Sequence, residues 1–318
     1  MKILVTGGVG FIGAHLSFTL ARAGHTLTIL DNFSDLPTPV EQKRAAASKL
    51  LGTFAGKISI VEAEVTDRRA VEDAMSGVDA VIHLAALAGV RPSFEDPEIY
   101  ARVNVEGTAC VVKSALRAGV TRIVIASSSS VYGNETPLPA LEDAVVGVPE
   151  SPYAASKRAS ELMAASLIAG RTDVSCSALR FFTVYGPYQR PEMAITKFLR
   201  LASRGDELPL YGDGSSRRDY THVDDVVRGI RAALERAPMG FRAYNIGCGS
   251  PILLSDLVAG ISDVVGGTVR TCDHGKQRGD VDATFAETSR ARSELGFAPS
   301  VPFREGLRSV HDWLLKHA

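Results

Sequence analysis

The chain has few cysteines, no long apolar run and almost no net charge, and each of these absences argues against a class of protein. The cysteines are widely spaced and form no CxxC pair, which argues against a zinc site or a disulfide framework and favours reduced thiols. They are Cys110, Cys176, Cys248 and Cys272. The seven histidines include no close pair, so we expect no metal.

The charge balance argues against two kinds of partner. Lys and Arg together number 35 and Asp and Glu 36, which leaves a net charge of -1. A nucleic-acid or anionic membrane surface would require a basic patch, so we expect neither partner. No apolar run approaches the ~20 residues of a membrane-spanning helix. The chain starts on an apolar strand pattern without a basic leader, and we expect a cytoplasmic protein.

Apolar runs of strand length alternate with helical patterns through the first half of the chain. Such alternation is typical of a mostly parallel sheet with helices on both faces. The sequence therefore predicts a doubly wound α/β fold. The predicted strands are residues 3–5, 26–30, 58–61, 80–84 and 122–126, and the clearest helical patterns are residues 11–23, 97–118 and 153–169. Residues 32–55, polar and rich in Ala, are the segment that we most expect to be mobile.

A glycine-rich turn follows the first predicted strand and opens the first helix. Gly7, Gly10 and Gly13 permit a tight turn and a close approach of backbone to a pyrophosphate, which the helix N-terminus also favours. Asp31 ends the second strand, where a carboxylate can accept hydrogen bonds from both ribose hydroxyls. Because that carboxylate repels a 2′-phosphate, NAD is favoured over NADP as the cofactor. The fold is thus predicted to be of the Rossmann type.

A tyrosine and a lysine are placed one helical turn apart, after a run of four serines. Tyr153 and Lys157 share one face of the predicted helix. A free phenol titrates near pH 10, and a nearby ammonium would favour its ionised form. Tyr153 could then take a hydroxyl proton while hydride leaves the same carbon. The pattern indicates a dehydrogenase-type site.

Taken together, these residues make the chain resemble the extended short-chain dehydrogenases/reductases of the nucleotide-sugar epimerase and dehydratase group. The resemblance implies that Tyr153 is the catalytic base and acid, that Lys157 holds the nicotinamide ribose and lowers the tyrosine pKa, and that Ser128 binds the reacting hydroxyl. Ser127 and Ser129 remain alternatives to Ser128. Asn104 is expected to link helix and site, and His83 to be a core histidine.

The resemblance also implies a set of contacts to NAD and a division of the chain. The expected units are an NAD-binding domain, residues 1–179, and a smaller mixed α/β substrate-binding lobe, residues 180–318, interleaved with it. A homodimer is expected through the helices at 97–118 and 153–169. The expected NAD-binding residues are Gly7, Gly10, Phe11, Ile12, Gly13, Asp31, Asn32, Glu64, Val65, Leu84, Ala85, Ala86 and Lys157.

Two positions after the reactive serine bear on the reaction. Sugar dehydratases of this group carry an Asp-Glu pair there, which supplies the acid and base that expel water. This chain has Ser129 and Ser130 instead, and neither can protonate a leaving hydroxyl. Dehydration is therefore not expected. The expected reaction is 4-epimerisation of a UDP-sugar through a 4-keto intermediate.

The sugar pocket is similar to that of the UDP-glucuronate 4-epimerases. Thr183 stands where most relatives have Asn, and Arg91 and Arg190 lie in matching segments. A 4-keto glucuronate is a β-keto acid that loses carbon dioxide when its carboxylate aligns with the carbonyl π system. Hydroxyls of Ser129, Ser130 and Thr183 could hold the carboxylate out of that alignment. The resemblance implies interconversion of UDP-glucuronate and UDP-galacturonate.

At the nucleotide end the resemblance implies three further substrate contacts. Tyr211 would stack on the uracil, and Arg218 and Arg278 would pair with the diphosphate. The late arginine of relatives often stands where this chain has Gln277. Alternatives remain open: a UDP-glucose/UDP-galactose epimerase, a UDP-glucuronate decarboxylase, a reductase that consumes its cofactor, or a non-catalytic nucleotide sensor.

Overall fold

The computed structural model describes residues 1–212, 214–275 and 279–317. Its strands are short and end in loops that carry the polar residues discussed below. In chain order they are β1 Lys2–Thr6, β2 Thr26–Asp31, β3 Ile58–Glu62, β4 Ala80–His83, β5 Arg122–Ser128, β6 Ser175–Phe181, β7 Val184–Tyr185, β8 Leu208–Leu210, β9 Arg217–Arg218, β10 Thr221–His222, β11 Gly240–Ile246, β12 Ile252–Leu253 and β13 Thr271–Asp273.

The helices connect these strands and cover the sheet. They are α1 Phe11–Arg22, α2 Val40–Thr53, α3 Arg68–Ala74, α4 Pro92–Glu95, α5 Pro97–Tyr100, α6 Gly107–Arg117, α7 Pro152–Ile168, α8 Ala194–Ser203, α9 Val223–Arg236, α10 Leu254–Val265, α11 Ser289–Leu295 and α12 Phe303–Lys316. A π-helical turn, Ala101–Glu106, joins α5 to α6, and a 3-10 turn, Ser129–Tyr132, follows β5.

Seven strands form one sheet in the order β3-β2-β1-β4-β5-β6-β11, and all six pairings are parallel. Apolar side chains cover both faces, with Leu16 and Leu20 of α1 in one cluster and Val111 of α6 and Ile168 of α7 in the other. The predicted doubly wound Rossmann-type fold is confirmed.

Strand order reverses on either side of β1, which lies between β2 and β4. Thr6 pairs in register with Leu30 of β2 and His83 of β4, so the carboxyl ends of these three strands meet at one edge. Ligands of doubly wound sheets bind at such a switch point. The functional residues predicted from the first half are therefore brought to a common edge.

The second half of the chain contributes both to the sheet and to a separate cluster. Strand β11 pairs with β6, while Leu199, Leu257 and Leu307, on α8, α10 and α12, form an apolar core of their own. Residue 179 falls within β6, and the division at that residue stays a prediction. Within the described residues, no helix combines the length and hydropathy needed to cross a membrane.

A buried ion pair fixes α7 on the sheet. Arg180 of β6 donates two hydrogen bonds to the carboxylate of Glu161, at 2.9 and 2.8 Å, and the two side chains are only 3% and 2% exposed. Ser127 Oγ donates to the same carboxylate at 2.5 Å. Glu161 therefore joins two strands to the helix that carries Tyr153.

Replacing Glu161 tests this joint. Glu161→Gln leaves Arg180 as an uncompensated buried charge, and we expect the free energy of unfolding to fall by about 3–5 kcal/mol. Asp173→Asn, which breaks the exposed pair with Arg171, is the control and should produce no measurable change. Urea unfolding of the three proteins measures both effects, and equal stability of Glu161→Gln and wild type would contradict this account.

Candidate active site

The glycine-rich turn is shaped for close contact between backbones. Gly7 has a φ of +68°, and a Cβ built on it would lie 2.6 Å from the backbone nitrogen of Ala85. A Cβ on Gly13 would collide with the carbonyl of Gly7. Leu84, Ala85 and the turn therefore lie against each other at the switch point, and the cradle fits a pyrophosphate that binds backbone N–H groups. Phe11 and Ile12 begin α1 at this cradle.

Acidic and amide side chains lie at the ends of β2 and β3. Asp31 is buried, and its Oδ1 accepts from the N–H of Phe33 at 3.0 Å. Asn32 Nδ2 donates to Glu64 Oε1 at 3.0 Å, while Val65 is buried beside them. The structure thus brings together the side chains that were predicted to contact the adenosine half of NAD.

Sequence reasoning missed Lys43, which lies 3.2 Å from Asp31 Oδ1. It belongs to α2, within the segment that was expected to be mobile and that instead contains a 14-residue helix. The signal that could have identified it is a lysine on an Ala-rich stretch of helical composition, directly after a predicted ribose-binding loop.

The serines of the run have different surroundings. Ser127 is buried and donates to Glu161, whereas Ser128 lies close enough to the Tyr153 hydroxyl to oppose the rise in its pKa. Ser128 also caps the following 3-10 turn, since its Oγ accepts from the N–H of Ser130 at 3.2 Å. Of the serines that the sequence left open, Ser128 is the one that lies on the tyrosine.

Lys157 is held at the site by a backbone carbonyl. Lys157 Nζ donates to the carbonyl of Ala126 at 3.0 Å, and burial lowers the lysine pKa to about 8. Burial raises the pKa of Tyr153, and the opposing effects come from Ser128 and the charge of Arg190. The effect of Lys157 on the tyrosine pKa stays a prediction.

Asn104 and His83 have structural partners. The Asn104 amide donates to Leu87 O at 3.0 Å and to Ser156 Oγ at 2.9 Å, and its Oδ1 accepts from Leu87 N. His83 lies 2.7 Å from Thr6 Oγ1 and 3.1 Å from Thr108 Oγ1, and burial lowers its pKa to about 3. His83 is neutral, and both residues hold the site loops in place.

The side chains expected around the sugar differ in their enclosure, and the charge of Arg190 reaches Tyr153. Arg190 donates to Ala88 O at 3.3 Å and pairs with Glu192 at 3.1 Å. Thr183 is half-buried just beyond β6, and its carbonyl accepts from the N–H of Thr221. Within the described residues, the Ser130 Oγ is enclosed and has no hydrogen-bond partner. Ser129 is half-buried beside it.

A second group of side chains surrounds Tyr211, apart from the tyrosine–serine pair. The guanidinium of Arg91 lies 5.1 Å from the ring centroid, and the ammonium of Lys197 lies 5.6 Å from it. Arg91 also approaches Asp280 at 3.9 Å. Lys197, on α8, was not predicted. These groups bring two cations to the aromatic ring that was predicted to meet a nucleobase.

Of the two arginines that were expected to bind the diphosphate, Arg218 is hydrogen-bonded to backbone in this structure. Arg218 donates to the carbonyls of Arg217 and Asp282, at 3.0 and 3.2 Å. Its guanidinium would have to leave those acceptors to reach a phosphate. Arg278 lies outside the described residues.

The structure contains a glycine-rich cradle, the buried Asp31 carboxylate and a tyrosine–serine pair, and this arrangement agrees with the protein family that the sequence matches. A family model described as the NAD dependent epimerase/dehydratase family matches residues 3–247. The chain belongs to this family. The UDP-glucuronate 4-epimerase of Thermodesulfobacterium geofontis is 33% identical over 316 residues, which cover 98% of this chain and 95% of that protein.

Solved structures of family members have the same fold over the whole chain. The UDP-glucuronic acid 4-epimerase of Bacillus cereus, in complex with UDP-glucuronic acid and NAD, has a TM-score of 0.92 and 29% identity, with full coverage of both chains. The UDP-glucose 4-epimerase of Thermotoga maritima, with UDP-glucose, has a TM-score of 0.90 and 29% identity, covering 100% of this chain and 99% of that one. Overall fold therefore does not separate the two sugars, and local residues must do so.

The lowered pKa of Lys157 predicts how the free energy of unfolding depends on pH. Between its native pKa of about 8 and its ordinary value of 10.5, the unfolded chain binds more protons than the folded chain. The stability of wild type relative to Lys157→Met should therefore rise with pH across that window, by roughly 2–3 kcal/mol, and stay constant below it. Urea unfolding from about pH 7 to about pH 10 measures the difference, and a flat profile would mean that the ammonium is well solvated.

Proposed function

We propose that this protein catalyses the NAD-dependent 4-epimerisation of a UDP-sugar, interconverting UDP-glucuronate and UDP-galacturonate. The observation that carries the proposal is the approach of Ser128 to the Tyr153 hydroxyl, beside a serine pair that offers no acid. Family membership and the full-length similarity to UDP-glucuronate 4-epimerases support it. An isomerase of this kind needs no second substrate.

Each residue has a defined task in this reaction. Bound NAD would supply the acceptor, and later the donor, of the hydride at carbon 4 of the sugar. The Tyr153 phenol, ionised with the help of the Lys157 ammonium, takes the proton of the 4-hydroxyl and later gives it back. Ser128 Oγ, on the same hydroxyl, orients it towards the phenol. Lys157, held by the Ala126 carbonyl, places its ammonium beside the cofactor ribose.

The cofactor is expected to be held by the residues that line the cradle and the strand ends. The glycine turn supplies backbone N–H groups for the pyrophosphate, and Asp31 supplies a buried carboxylate for the adenosine ribose. Asn32 and Glu64 hold each other beside that ribose. Leu84, Ala85 and Ala86 present small or apolar surface where the dinucleotide crosses the sheet.

The sugar carboxylate is the part of the substrate that the local residues must restrain. Ser130 Oγ has no partner among the described residues, and an enclosed hydroxyl without one costs about 1–3 kcal/mol. A ligand carboxylate could satisfy it after a rotation about χ1. Ser129, Thr183 and Arg190 would hold the same group out of alignment with a 4-keto carbonyl. Nearby hydroxyls without an acid favour epimerisation over decarboxylation.

The nucleotide end is proposed to lie on Tyr211. Its ring has the cations of Arg91 and Lys197 beside it, so a uracil that stacks there would bring its diphosphate close to positive charge. Arg218 would complete that set after leaving its backbone acceptors.

Turnover of defined sugar nucleotides tests the proposal. The purified protein, without added reductant, should convert UDP-glucuronate to UDP-galacturonate and release little carbon dioxide, because the carboxylate is restrained. Chromatography of the nucleotides and a carbon dioxide assay measure both products. Tyr153→Phe is the control: it should retain the fold and the NAD and lose nearly all turnover. If only UDP-glucose is converted, the substrate is the neutral sugar nucleotide and not the acidic one. A pentose product would show that the protein is a decarboxylase.

We also propose that the protein is a homodimer, through the faces of α6 and α7. A groove between Ala101, Val105, Ala109 and Met163 is open and mainly apolar, with Arg102 and Glu106 in its lining, and Met163 is 37% exposed. A second copy would cover these side chains. Ala109→Glu would place a carboxylate in the groove, so sedimentation should give a dimer for wild type and a monomer for the variant. A monomeric wild type would reject the proposal.

A cytoplasmic location is proposed as well. All four cysteines are free thiols in the structure, which suits a reducing compartment.

A further inference from the structure

Helices α1 and α2 hold two consecutive carbonyls of residues 186–193, the Arg190 loop, which connects β7 to α8. His15 Nε2, on α1, lies 2.9 Å from the Pro187 oxygen. Gln42 Nε2, on α2, donates to the Tyr188 oxygen at 2.7 Å. The function described above gives neither of these two side chains a task.

The Arg190 loop contains a backbone conformation that needs such support. Tyr188 has a φ of +66°, in the left-handed region that residues with a side chain rarely adopt. Such a conformation persists only where the surrounding structure imposes it. Gln189 is 4% exposed, donates to the Val184 oxygen at 2.7 Å and accepts from Thr196 Oγ1 at 3.0 Å. The loop is therefore held by α1 and α2 on one side of Gln189 and by its own lobe on the other, just before Arg190.

The imidazole of His15 is fixed in both protonation and orientation. Burial lowers its pKa, so the ring is neutral at neutral pH and carries one N–H. Because a carbonyl only accepts, that N–H lies on Nε2 and donates to Pro187. The ring packs edge-on against Phe11 at 6.0 Å and against Tyr188 at 5.9 Å between centroids. Since Phe11 begins α1 at the glycine-rich turn, His15 connects that turn to the Arg190 loop.

Arg190 carries the position of this loop into the site. Its guanidinium donates to the Ala88 oxygen at 3.3 Å, and its charge opposes the rise in the pKa of Tyr153. The side chain is 17% exposed, whereas its ion-pair partner Glu192 is 60% exposed. An exposed pair of this kind is weak, so a substrate carboxylate can replace Glu192. A guanidinium binds a carboxylate through two parallel hydrogen bonds only when the two planes are aligned, which makes this contact sensitive to the loop backbone.

We propose that His15 and Gln42 are positioning residues for the sugar carboxylate. By holding the two carbonyls they keep Tyr188 left-handed and orient Arg190 for a two-bond contact with the acid group. The inference rests on the proposed epimerisation of UDP-glucuronate and deepens it. Selectivity for the acidic sugar then depends on two helices that begin beside the cofactor cradle, and not only on the side chains around the sugar.

Binding of sugar nucleotides to Tyr153→Phe with NAD bound measures the effect without turnover. Adding His15→Leu removes the donor and should weaken UDP-glucuronate binding at least about tenfold, because a charge-assisted contact is lost. UDP-glucose, which has no carboxylate, should bind as before. His15→Gln should restore the affinity, since its amide nitrogen reaches the place of Nε2. Gln42→Met should act as His15→Leu does.

The matched control is His25→Leu. His25 follows α1 and lies near the exposed amino terminus, 3.5 Å from the Met1 nitrogen. This variant should leave both affinities unchanged. Thermal unfolding with NAD checks that each variant is folded. An equal loss of UDP-glucose and UDP-glucuronate binding in His15→Leu would assign the histidine a general structural role and overturn the proposal.

A double-variant cycle tests whether His15 acts through Arg190. Arg190→Gln alone should weaken UDP-glucuronate binding by a similar factor, and adding His15→Leu should weaken it no further, because the contact is already lost. Losses that multiply would show that His15 acts independently of Arg190 and would also overturn the proposal.

The fluorescence of the single tryptophan reports the position of the loop directly. The Trp313 ring lies 5.0 Å from the Tyr188 ring, and its indole nitrogen is buried. His15→Leu should shift the emission to longer wavelength, because water reaches the indole when Tyr188 moves, and His15→Gln should not. Unchanged emission of His15→Leu would overturn the proposal, since the loop then keeps its place without the histidine. Failure of Tyr153→Phe to bind UDP-glucuronate would instead reject the proposed function, and the emission would still decide whether His15 holds the loop.

Discussion

Three consecutive residues of β5 each bind a different residue of α7, and the catalytic geometry depends on this joint. The Ala126 carbonyl accepts from Lys157, the Ser127 hydroxyl donates to Glu161, and Ser128 lies beside the Tyr153 hydroxyl. Successive side chains of a strand point to opposite faces of the sheet. One helix can contact all three residues because Ala126 contributes its backbone carbonyl and Ser128 is the last residue of the strand. The ion pair of Glu161 with Arg180 then prevents α7 from sliding along the sheet.

The glycine turn, Asp31 and the Tyr153–Lys157 spacing could be predicted from the sequence because each depends on local chain geometry. The same reasoning could not locate Lys43 or Lys197, since each is brought to its site by the docking of a helix that precedes or follows the motif by many residues. The serine register was equally out of reach, because four identical hydroxyls differ only in what lies opposite them. The burial that raises the pKa of Tyr153 was also beyond the sequence, which places a cation near the phenol and says nothing about its enclosure.

Arg190 and Arg91 connect the two halves of the site. Both interact with the loop after β4, Arg190 through the Ala88 carbonyl and Arg91 as a member of the loop, and both also reach groups from the second half of the chain. The loop after β4 therefore contacts the glycine-rich turn on one side, through Ala85, and the Tyr211 ring on the other, through Arg91. A rearrangement of either group would be transmitted to the other by packed backbone over a short distance.

The π-helical turn at Ala101–Glu106 limits how this gene could change length. A π-helical turn amounts to one residue added to an α-helix, and within it the Asn104 carbonyl accepts from Thr108 Oγ1 at 2.6 Å and Ser160 Oγ at 2.8 Å. Loss of the codon for Val105 or Glu106 would restore a regular helix and turn every preceding side chain of the turn by about 100° relative to α6. Asn104 would then point away from α7, so a deletion that shortens the helix by only one residue would separate the loop after β4 from the helix that carries Tyr153.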